Sequence, residues 1–98
     1  MVRIIIERHF KSSEGILPLL NQIRREAIKQ PGYISGETMV NAKDSSRLII
    51  ISNWDNLKDW EAWHASKKRV EMCEKIKPIL VEPAKETAYR YLSYRRNT

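Results

Sequence analysis

Cysteine and long apolar runs are scarce in this chain of 98 residues. The single cysteine, Cys73, excludes an internal disulfide and is typical of proteins that work in a reducing cytoplasm. The longest strongly apolar runs, residues 4–6 and 48–51, are far shorter than the roughly 18 residues that a membrane-spanning helix needs. Residues 1–3 lead straight into an alternating pattern, with no apolar signal segment. We therefore predict a soluble cytoplasmic protein without a membrane partner.

Sequence motifs for common cofactors and nucleophiles are also missing. The chain has three glycines and no glycine-rich phosphate loop, and it has no CxxC, HExxH or GxSxG motif. Its two histidines, His9 and His64, lie far apart in the sequence, so we expect no metal site. These absences argue against nucleotide-dependent enzymes, zinc enzymes and serine hydrolases.

Acidic residues are outnumbered, and the chain carries a formal net charge of +6. The basic residues are nevertheless scattered and interleaved with Glu and Asp through most of the chain, which is typical of a solvated surface. The basic-aromatic consensus of RNA-binding sheets is absent. We predict no nucleic-acid partner, and the positive charge can instead steer an anionic small molecule towards the protein.

The hydrophobic patterns predict the element order β-α-β-β-α-β. Alternation predicts strands over residues 2–10, 33–40, 47–54 and 87–94, and helical spacing predicts a first helix from about residue 15 to residue 29. Asn56 and Ser66 are candidate caps for two consecutive helices between the last two strands. The order is that of a ferredoxin-like α+β fold with a four-stranded antiparallel sheet and a split second helix. We predict one domain over residues 1–94 and a frayed tail over residues 95–98.

In this fold the helices cover only one face of the sheet. The other face would carry Ile5 and whichever of Ile49 and Ile50 points away from the helices, and these side chains are too apolar to remain in water. A second copy packed sheet to sheet would cover them. We therefore predict a homodimer that forms through the open sheet face.

All three tryptophans, Trp54, Trp60 and Trp63, fall within ten residues at the junction of a predicted strand and a predicted helix. Leu57, Trp60 and Trp63 are spaced i, i+3, i+6 and therefore lie along one side of that helix. Core packing is the simpler interpretation of Trp54 and Trp60, while both are also candidates for substrate binding. An indole carries an N–H that needs a partner, so the cluster is expected beside polar groups.

Several of these residues carry a resemblance to a known family. Pro31-Gly32-Tyr33 follows the first helix, Trp54 ends the third strand, and residues 56–66 read Asn-Leu-Lys-Asp-Trp-Glu-Ala-Trp-His-Ala-Ser. In these features the chain resembles the antibiotic biosynthesis monooxygenase family over nearly its whole length, Met1 to Leu92. The resemblance implies a dimeric α+β barrel.

The resemblance also implies a reaction. It implies a monooxygenase, an oxidoreductase that binds neither metal nor flavin and oxidises a small aromatic or quinol-type substrate with O₂ as co-substrate. The protein would supply a dry cavity, a base or hydrogen-bond donor, and polar groups for the developing anion.

The same resemblance suggests residues for the site. Trp63 occupies the position of the family's pocket tryptophan, and Glu7 and His9 lie where the family tends to place a polar pocket residue. His9 is the better candidate base because its unperturbed pKa of about 6.5 needs little tuning, and Asn53 is a further polar contributor. The alternatives are that His9 is a solvated edge histidine and that Glu7 belongs to an ion pair at the dimer interface.

Three other functions remain open at this stage. The haem-degrading branch of the family needs an Asn, a Trp and an axial His, and only the Trp is kept, since Glu7 and the neighbourhood of Cys73 occupy the other positions. Cys73 is better interpreted as a packed thiol than as a haem ligand. The second alternative is a non-catalytic module that binds or senses a small molecule. The third is a structural dimerisation domain whose cavity is filled by Trp60, Trp63 and Met72.

Overall fold

The computed structural model describes residues 1–93 and has the predicted βαββαβ order, with the second helix split in two. The predicted tail over residues 95–98, and position 94 at the end of the predicted domain, lie outside the described residues. The strands are β1 (Val2–His9), β2 (Tyr33–Asn41), β3 (Asp44–Trp54) and β4 (Lys85–Arg90), and the helices are α1 (Ile16–Ala27), α2 (Leu57–His64) and α3 (Lys67–Ile76). A 3₁₀ turn over Lys77–Ile79 follows α3.

The four strands form one antiparallel sheet in the order β2-β3-β1-β4, so the ferredoxin-like α+β prediction is confirmed. In the central strand β1, Ile6 pairs with Ile50 of β3 and with Glu86 of β4. Paired residues share a face of the sheet. Because Ile6 is buried under the helices, this register also directs Glu86 towards them.

The two short helices begin at the predicted caps. The Asn56 side chain accepts a hydrogen bond from the Asp59 backbone N–H at 2.9 Å, and the Ser66 hydroxyl accepts one from the Arg69 backbone N–H at 3.3 Å. Each cap satisfies an N–H that has no partner within its helix. The cap at Ser66 fixes where α3 starts and therefore which of its residues face the sheet.

The last strand differs from the prediction. β4 spans Lys85–Arg90, two residues earlier at its start and four residues earlier at its end than the predicted strand over residues 87–94. Its pairing with β1 runs from Lys85, opposite Glu7, to Arg90, opposite Val2. The length of β1 therefore sets the bounds of β4, which the tyrosine-rich alternation at the end of the chain did not reveal.

The core lies between the helices and one face of the sheet and contains two clusters of buried residues. One cluster is built around the aromatic side chains of β3 and α2: Val2, Ile4, Ile6, Ala27, Trp54, Trp60 and Trp63. The other lies beneath the start of α1 and the end of α3: Phe10, Ile16, Leu20, Leu48, Ile76 and Leu80. Ile23 and Ile50 contact both clusters. These two side chains therefore lie where the clusters meet.

The helix-free face of the sheet is apolar at its centre. Ile5, Ile49 and Ile51 are half-buried there, and beside them Arg3 Nε donates a hydrogen bond to Asn53 Oδ1 at 3.1 Å. Of the two isoleucines left open by the sequence, Ile49 lies on this face and Ile50 faces the helices. The homodimer stays a prediction. No helix within residues 1–93 is long and apolar enough to cross a membrane.

Candidate functional site

A cavity of about 70 Å³ lies between the helices and the sheet. Its wall consists mainly of aromatic and aliphatic side chains, and it also includes three arginines. The side chains that matter most below are Ile6, Arg8, Tyr33, Trp54, Trp60, Trp63 and Arg69. An apolar cavity with a few polar groups at its edge is the usual form of a small-molecule site.

The aromatic part of the wall is rigidly packed. Trp54 is 1% exposed, and its ring meets Tyr33 and Trp60 edge-on, with ring centroids 5.4 Å and 5.8 Å away. The Trp54 indole N–H donates to the Ser52 hydroxyl at 3.0 Å, so its hydrogen-bonding capacity is already used. Trp63 is 3% exposed and lies on the same side of α2 as Trp60. Burial raises the pKa of the Tyr33 hydroxyl, which keeps that group neutral over the physiological range.

Two arginines lie in the polar part of the wall and are almost completely buried. Arg8 of β1 is 6% exposed and Arg69 of α3 is 5% exposed. Arg69 donates a hydrogen bond to Glu86 Oε2 at 2.6 Å, and its guanidinium carbon lies 5.1 Å from the ring centroid of Trp60. Arginines are seldom buried to this degree unless they are paired.

Glu86 is shared by two side chains, Arg69 and His64. Besides the bond from Arg69, its Oε1 lies 3.1 Å from Nε2 of His64. Burial alone would raise the pKa of the Glu86 carboxyl, but the charge of Arg69 and the hydrogen bonds from His64 and Arg69 outweigh burial and lower it. The carboxylate is therefore ionised and committed to these partners at neutral pH.

Arg8 has no such partner. Among residues 1–93, no carboxylate oxygen lies within 4.0 Å of its guanidinium, and its hydrogen bond goes to the Cys73 thiol. Burial lowers the pKa of Arg8 and the neighbouring charge of Arg69 lowers it further, whereas Cys73 and the charge of Glu86 oppose this shift. A guanidinium nevertheless stays protonated in proteins. The wall of the cavity thus contains a buried positive charge that is not in direct contact with a carboxylate of residues 1–93.

A second space adjoins the cavity. A groove of about 540 Å³ lies between α3 and β4, and it also contacts Arg8 and Arg69. Its other lining residues include Cys73, Leu80, Pro83 and Glu86. The two arginines therefore lie between the tryptophan cavity and a larger groove.

The structure brings some of the sequence-predicted site residues together. Trp54, Trp60 and Trp63 all line the cavity. Glu7 and His9 do not, because odd-numbered residues of β1 point to the helix-free face of the sheet. Asn53 lies on that same face.

The contacts of these three residues agree with their placement. Glu7 Oε2 lies 4.0 Å from Lys85 Nζ, and His9 Nδ1 lies 3.9 Å from Glu82 Oε1. The Asn53 amide donates to the Ser35 hydroxyl at 3.0 Å. Within one chain, the predicted base His9 and the pocket tryptophan Trp63 are therefore on opposite faces of the sheet. The sequence alone left open whether Glu7 and His9 reach the same space as Trp63, and their roles in a site stay predictions.

Arg8 and Arg69 were missed because charged residues were assigned to the solvated surface. The signals were present. Arg8 lies midway between Ile6 and Phe10, so the two-residue period of a strand places it on the buried face. Arg69 precedes Ile76 by seven residues, so the helical period places both on one side of α3.

Two further kinds of chemistry can be assessed, metal binding and the Cys73 thiol. Within residues 1–93 no group of three or more His, Cys, Asp and Glu side chains is close enough to hold a metal ion. Cys73 is half-buried beside Arg8, while Val70, predicted in the same apolar row of α3, is exposed. The haem alternative receives no histidine from α3, since the axial position falls near Cys73.

Comparison with known proteins agrees with this fold. The family model of antibiotic biosynthesis monooxygenases matches residues 2–75. A candidate antibiotic biosynthesis monooxygenase from Deinococcus radiodurans is 17% identical with a TM-score of 0.89, and the alignment covers 100% of this chain and 99% of the other. SnoaB from Streptomyces nogalater, described as a cofactor-independent oxygenase, is 7% identical with a TM-score of 0.85 and coverage of 95% and 94%.

A third solved structure has the same fold, and a comparison with curated proteins was also made. A candidate antibiotic biosynthesis monooxygenase from Nitrosomonas europaea is 19% identical with a TM-score of 0.85, covering 95% of this chain and 100% of the other. Comparison with curated proteins gives no match. At these identities the solved structures show the shared fold, and they do not identify the substrate.

Proposed function

Because this chain belongs to the antibiotic biosynthesis monooxygenase family, we propose that it oxidises a small aromatic or quinol-type molecule with O₂ and without a metal or flavin. The observation that supports this most is the cavity itself, in which Trp54, Trp60 and Trp63 surround a space whose polar wall carries buried arginines. Such a site holds a flat ring away from water and favours an anionic form of it.

The chemistry needs little from the protein. A phenol that loses its proton becomes electron-rich enough to pass an electron to O₂, and recombination puts one oxygen atom on the ring while the other leaves as water. The ring carbon that is oxidised loses its hydrogen, and a phenol thereby becomes a quinone. The protein's part is to bind the ring, exclude water and stabilise the negative charge, for which guanidinium groups are well suited.

The size of the cavity sets a condition on this proposal. About 70 Å³ is less than half of the about 150 Å³ that admits a benzene molecule, so a substrate ring enters only if part of the wall moves. Arg69 is the side chain best placed to move, because it lines both the cavity and the groove. It is held by an ion pair to Glu86, whose side chain is 31% exposed and can therefore turn towards solvent. Displacement of Arg69 would join the two spaces.

In this proposal the predicted site residues take two roles. Trp54, Trp60 and Trp63 contact the substrate. Glu7, His9 and Asn53 lie on the face that a second copy would cover, and we infer that they belong to the surface of a homodimer.

The direct test is oxygen uptake by chelator-treated protein with a panel of hydroquinones and polycyclic phenols. We expect uptake that depends on substrate, survives chelation and falls more than about tenfold in Trp63→Ala, because the ring loses the wall that orients it. Leu57→Ala, an exposed position on the same helix, is the matched control and should keep the wild-type rate. Trp63→Phe keeps most of the packing and guards against a variant that fails to fold.

One observation favours a second candidate, a non-catalytic module that binds a small molecule. The described residues that line the cavity include no histidine, and the predicted base His9 is on the other face of the sheet. Uptake no faster than the autoxidation of the substrates in buffer, across the whole panel, would contradict the oxygenase and support this second function.

A further inference from the structure

The feature that carries a further inference is a buried guanidinium, that of Arg8, which has no carboxylate partner among residues 1–93 at the wall between the cavity and the groove. Arg8 and Arg69 each place a guanidinium there, and Glu86 is the carboxylate bonded to Arg69. Glu86 already accepts from Arg69 and from His64. The buried positive charge of Arg8 does not share in these contacts.

Burying a charge without a counter-ion is costly, and proteins tend to keep such an arrangement where a ligand completes it. Arg8 is 6% exposed, so bulk water and dissolved anions do not reach it freely. Its hydrogen bond goes to the sulfur of Cys73, which is a weak acceptor. No carboxylate within residues 1–93 lies within 4.0 Å of the Arg8 guanidinium, so an anionic ligand would be its first carboxylate partner.

We propose that Arg8 and Arg69 bind the carboxylate of a small aromatic acid whose ring lies among the tryptophans of the cavity. This deepens the proposed function, on which it rests, by naming the substrate class as an aromatic carboxylic acid.

The chemistry of the wall selects this group. A planar carboxylate accepts two parallel N–H bonds from a guanidinium, which a neutral amide or hydroxyl cannot match. A monoanion matches the single charge of Arg8, the buried arginine that has no carboxylate within 4.0 Å among residues 1–93. The aromatic neighbours Trp54, Trp60 and Trp63 fit a flat ring attached to that carboxylate.

The position of the arginines also explains how such a ligand gains access. A ligand in the groove meets Arg69 while Arg69 is still bonded to Glu86. The carboxylate of the ligand can replace Glu86 as the partner of Arg69, and the exchange moves the side chain that closes the cavity. Glu86 keeps His64 as a partner, so no carboxylate is stranded.

The test uses two redox-inert probes, 2-naphthoate and 2-naphthamide, which have the same ring and differ in charge. Isothermal titration calorimetry measures the affinity of the wild-type protein for each, and NMR shifts of the three indole N–H signals locate the ring. We expect 2-naphthoate to bind at least about tenfold more tightly than 2-naphthamide and to shift the Trp63 signal.

Substitution at Arg8 then assigns the preference to its side chain. Arg8→Met should reduce the ratio of the two affinities to near one while 2-naphthamide binding is kept, and Arg8→Lys should give an intermediate ratio. Arg25→Met removes the same charge from the exposed face of α1 and should leave the wild-type ratio unchanged. Circular dichroism and thermal unfolding establish that each variant is folded.

The outcomes separate this inference from the function on which it rests. Equal binding of the two probes, or a preference that persists in Arg8→Met, overturns the carboxylate subsite and leaves the aromatic cavity and the oxygenase standing. Binding of neither probe also overturns it. Failure of the oxygenase shows instead in the uptake assay, whose panel is extended here by hydroxylated aromatic carboxylic acids. A carboxylate preference without uptake from any member of that panel would assign the anion subsite to a binding module.

Discussion

Arg8 is a residue that folding alone does not require. It occupies a position on β1 between Ile6 and Phe10, both of which are buried, and it carries a charge without a carboxylate partner within residues 1–93. An apolar side chain of similar length at that position would avoid the cost of desolvation. The presence of a guanidinium where an aliphatic residue would be more stable fits a site that trades stability for binding.

This trade predicts the effect of Arg8→Met on stability. We expect the free energy of unfolding, measured by urea titration, to stay the same or to rise by roughly 1 kcal/mol, because a buried charge is replaced by an apolar group of similar volume. Arg69→Met is the contrasting variant, since it leaves Glu86 without its closest partner, and we expect a loss of roughly 1–2 kcal/mol at that partly exposed carboxylate. A large loss in Arg8→Met would mean that Arg8 supports the fold rather than the site.

At the scale of elements, α2 and α3 are joined to β4 through one side chain. Glu86 of β4 accepts a hydrogen bond from Arg69 of α3 and contacts His64 at the end of α2. Burial would raise the pKa of Glu86, but the charge of Arg69 and the hydrogen bonds from His64 and Arg69 lower it, so the folded pKa lies below the ordinary value of 4.5. A carboxylate with a lowered pKa contributes stability that is fully present above its unfolded pKa and is lost as the pH falls through the folded pKa.

This contact predicts a pH dependence of stability. Glu86→Gln should be less stable than the wild-type protein at neutral pH, and the gap in unfolding free energy should narrow as the pH falls below about 4.5 because the wild-type carboxylate is then protonated too. Thermal or urea unfolding at a series of pH values measures the gap. Glu61→Gln, at an exposed position of α2, should follow the wild-type curve. A gap that stays constant down to pH 3 would contradict the ion pair.

The elements themselves were largely predictable from local patterns. Asn56 and Ser66 cap α2 and α3 as their sequence positions indicate, since a cap depends only on the few residues that follow it. The bounds of β4 were not predictable, because they depend on pairing with β1, which is more than 70 residues away in the chain. The start of a helix depends on residues close in the chain. The last residue of β4, Arg90, is instead set by a distant residue, since it lies opposite Val2, the first residue of β1.

The candidate site was only partly predictable, because it too depends on contacts between residues that are distant in the chain. The tryptophans could be found because their spacing and their rarity mark them. The sequence left open whether Glu7 and His9 lie near Trp63. The alternation of β1 places them on the opposite face within one chain, and only the assembled sheet shows which face the helices cover. The lack of a carboxylate contact at Arg8 within residues 1–93 also appears only in three dimensions, because it depends on Glu86 being already committed to Arg69 and His64.

At the scale of the whole molecule, residues 1–93 leave one face of the sheet without a covering layer. Ile5, Ile49 and Ile51 are only half-buried there, and Met39 and Tyr89 at the sides of the same face are 44% and 55% exposed. Apolar side chains grouped on an uncovered sheet face favour association. Burying them stabilises the complex by about 25 cal/mol for each Å² of apolar surface removed from water. A two-fold pairing of sheet to sheet buries the same patch on both copies.

The dimer is tested by placing a charge at the centre of this face. Sedimentation of the wild-type protein should give twice the chain mass of 11.6 kDa, and Ile51→Lys should weaken association more than about tenfold, because its ammonium would be desolvated against an apolar partner surface. Val70→Lys adds the same charge on α3, away from the sheet face, and should remain dimeric. A monomeric wild-type protein, or an Ile51→Lys variant that still dimerises, would rule out pairing through this face. Arg8→Met should leave the sedimentation mass unchanged, because Arg8 points to the helix side of the sheet. A loss of carboxylate preference in that variant can therefore be assigned to the cavity and not to a change in association.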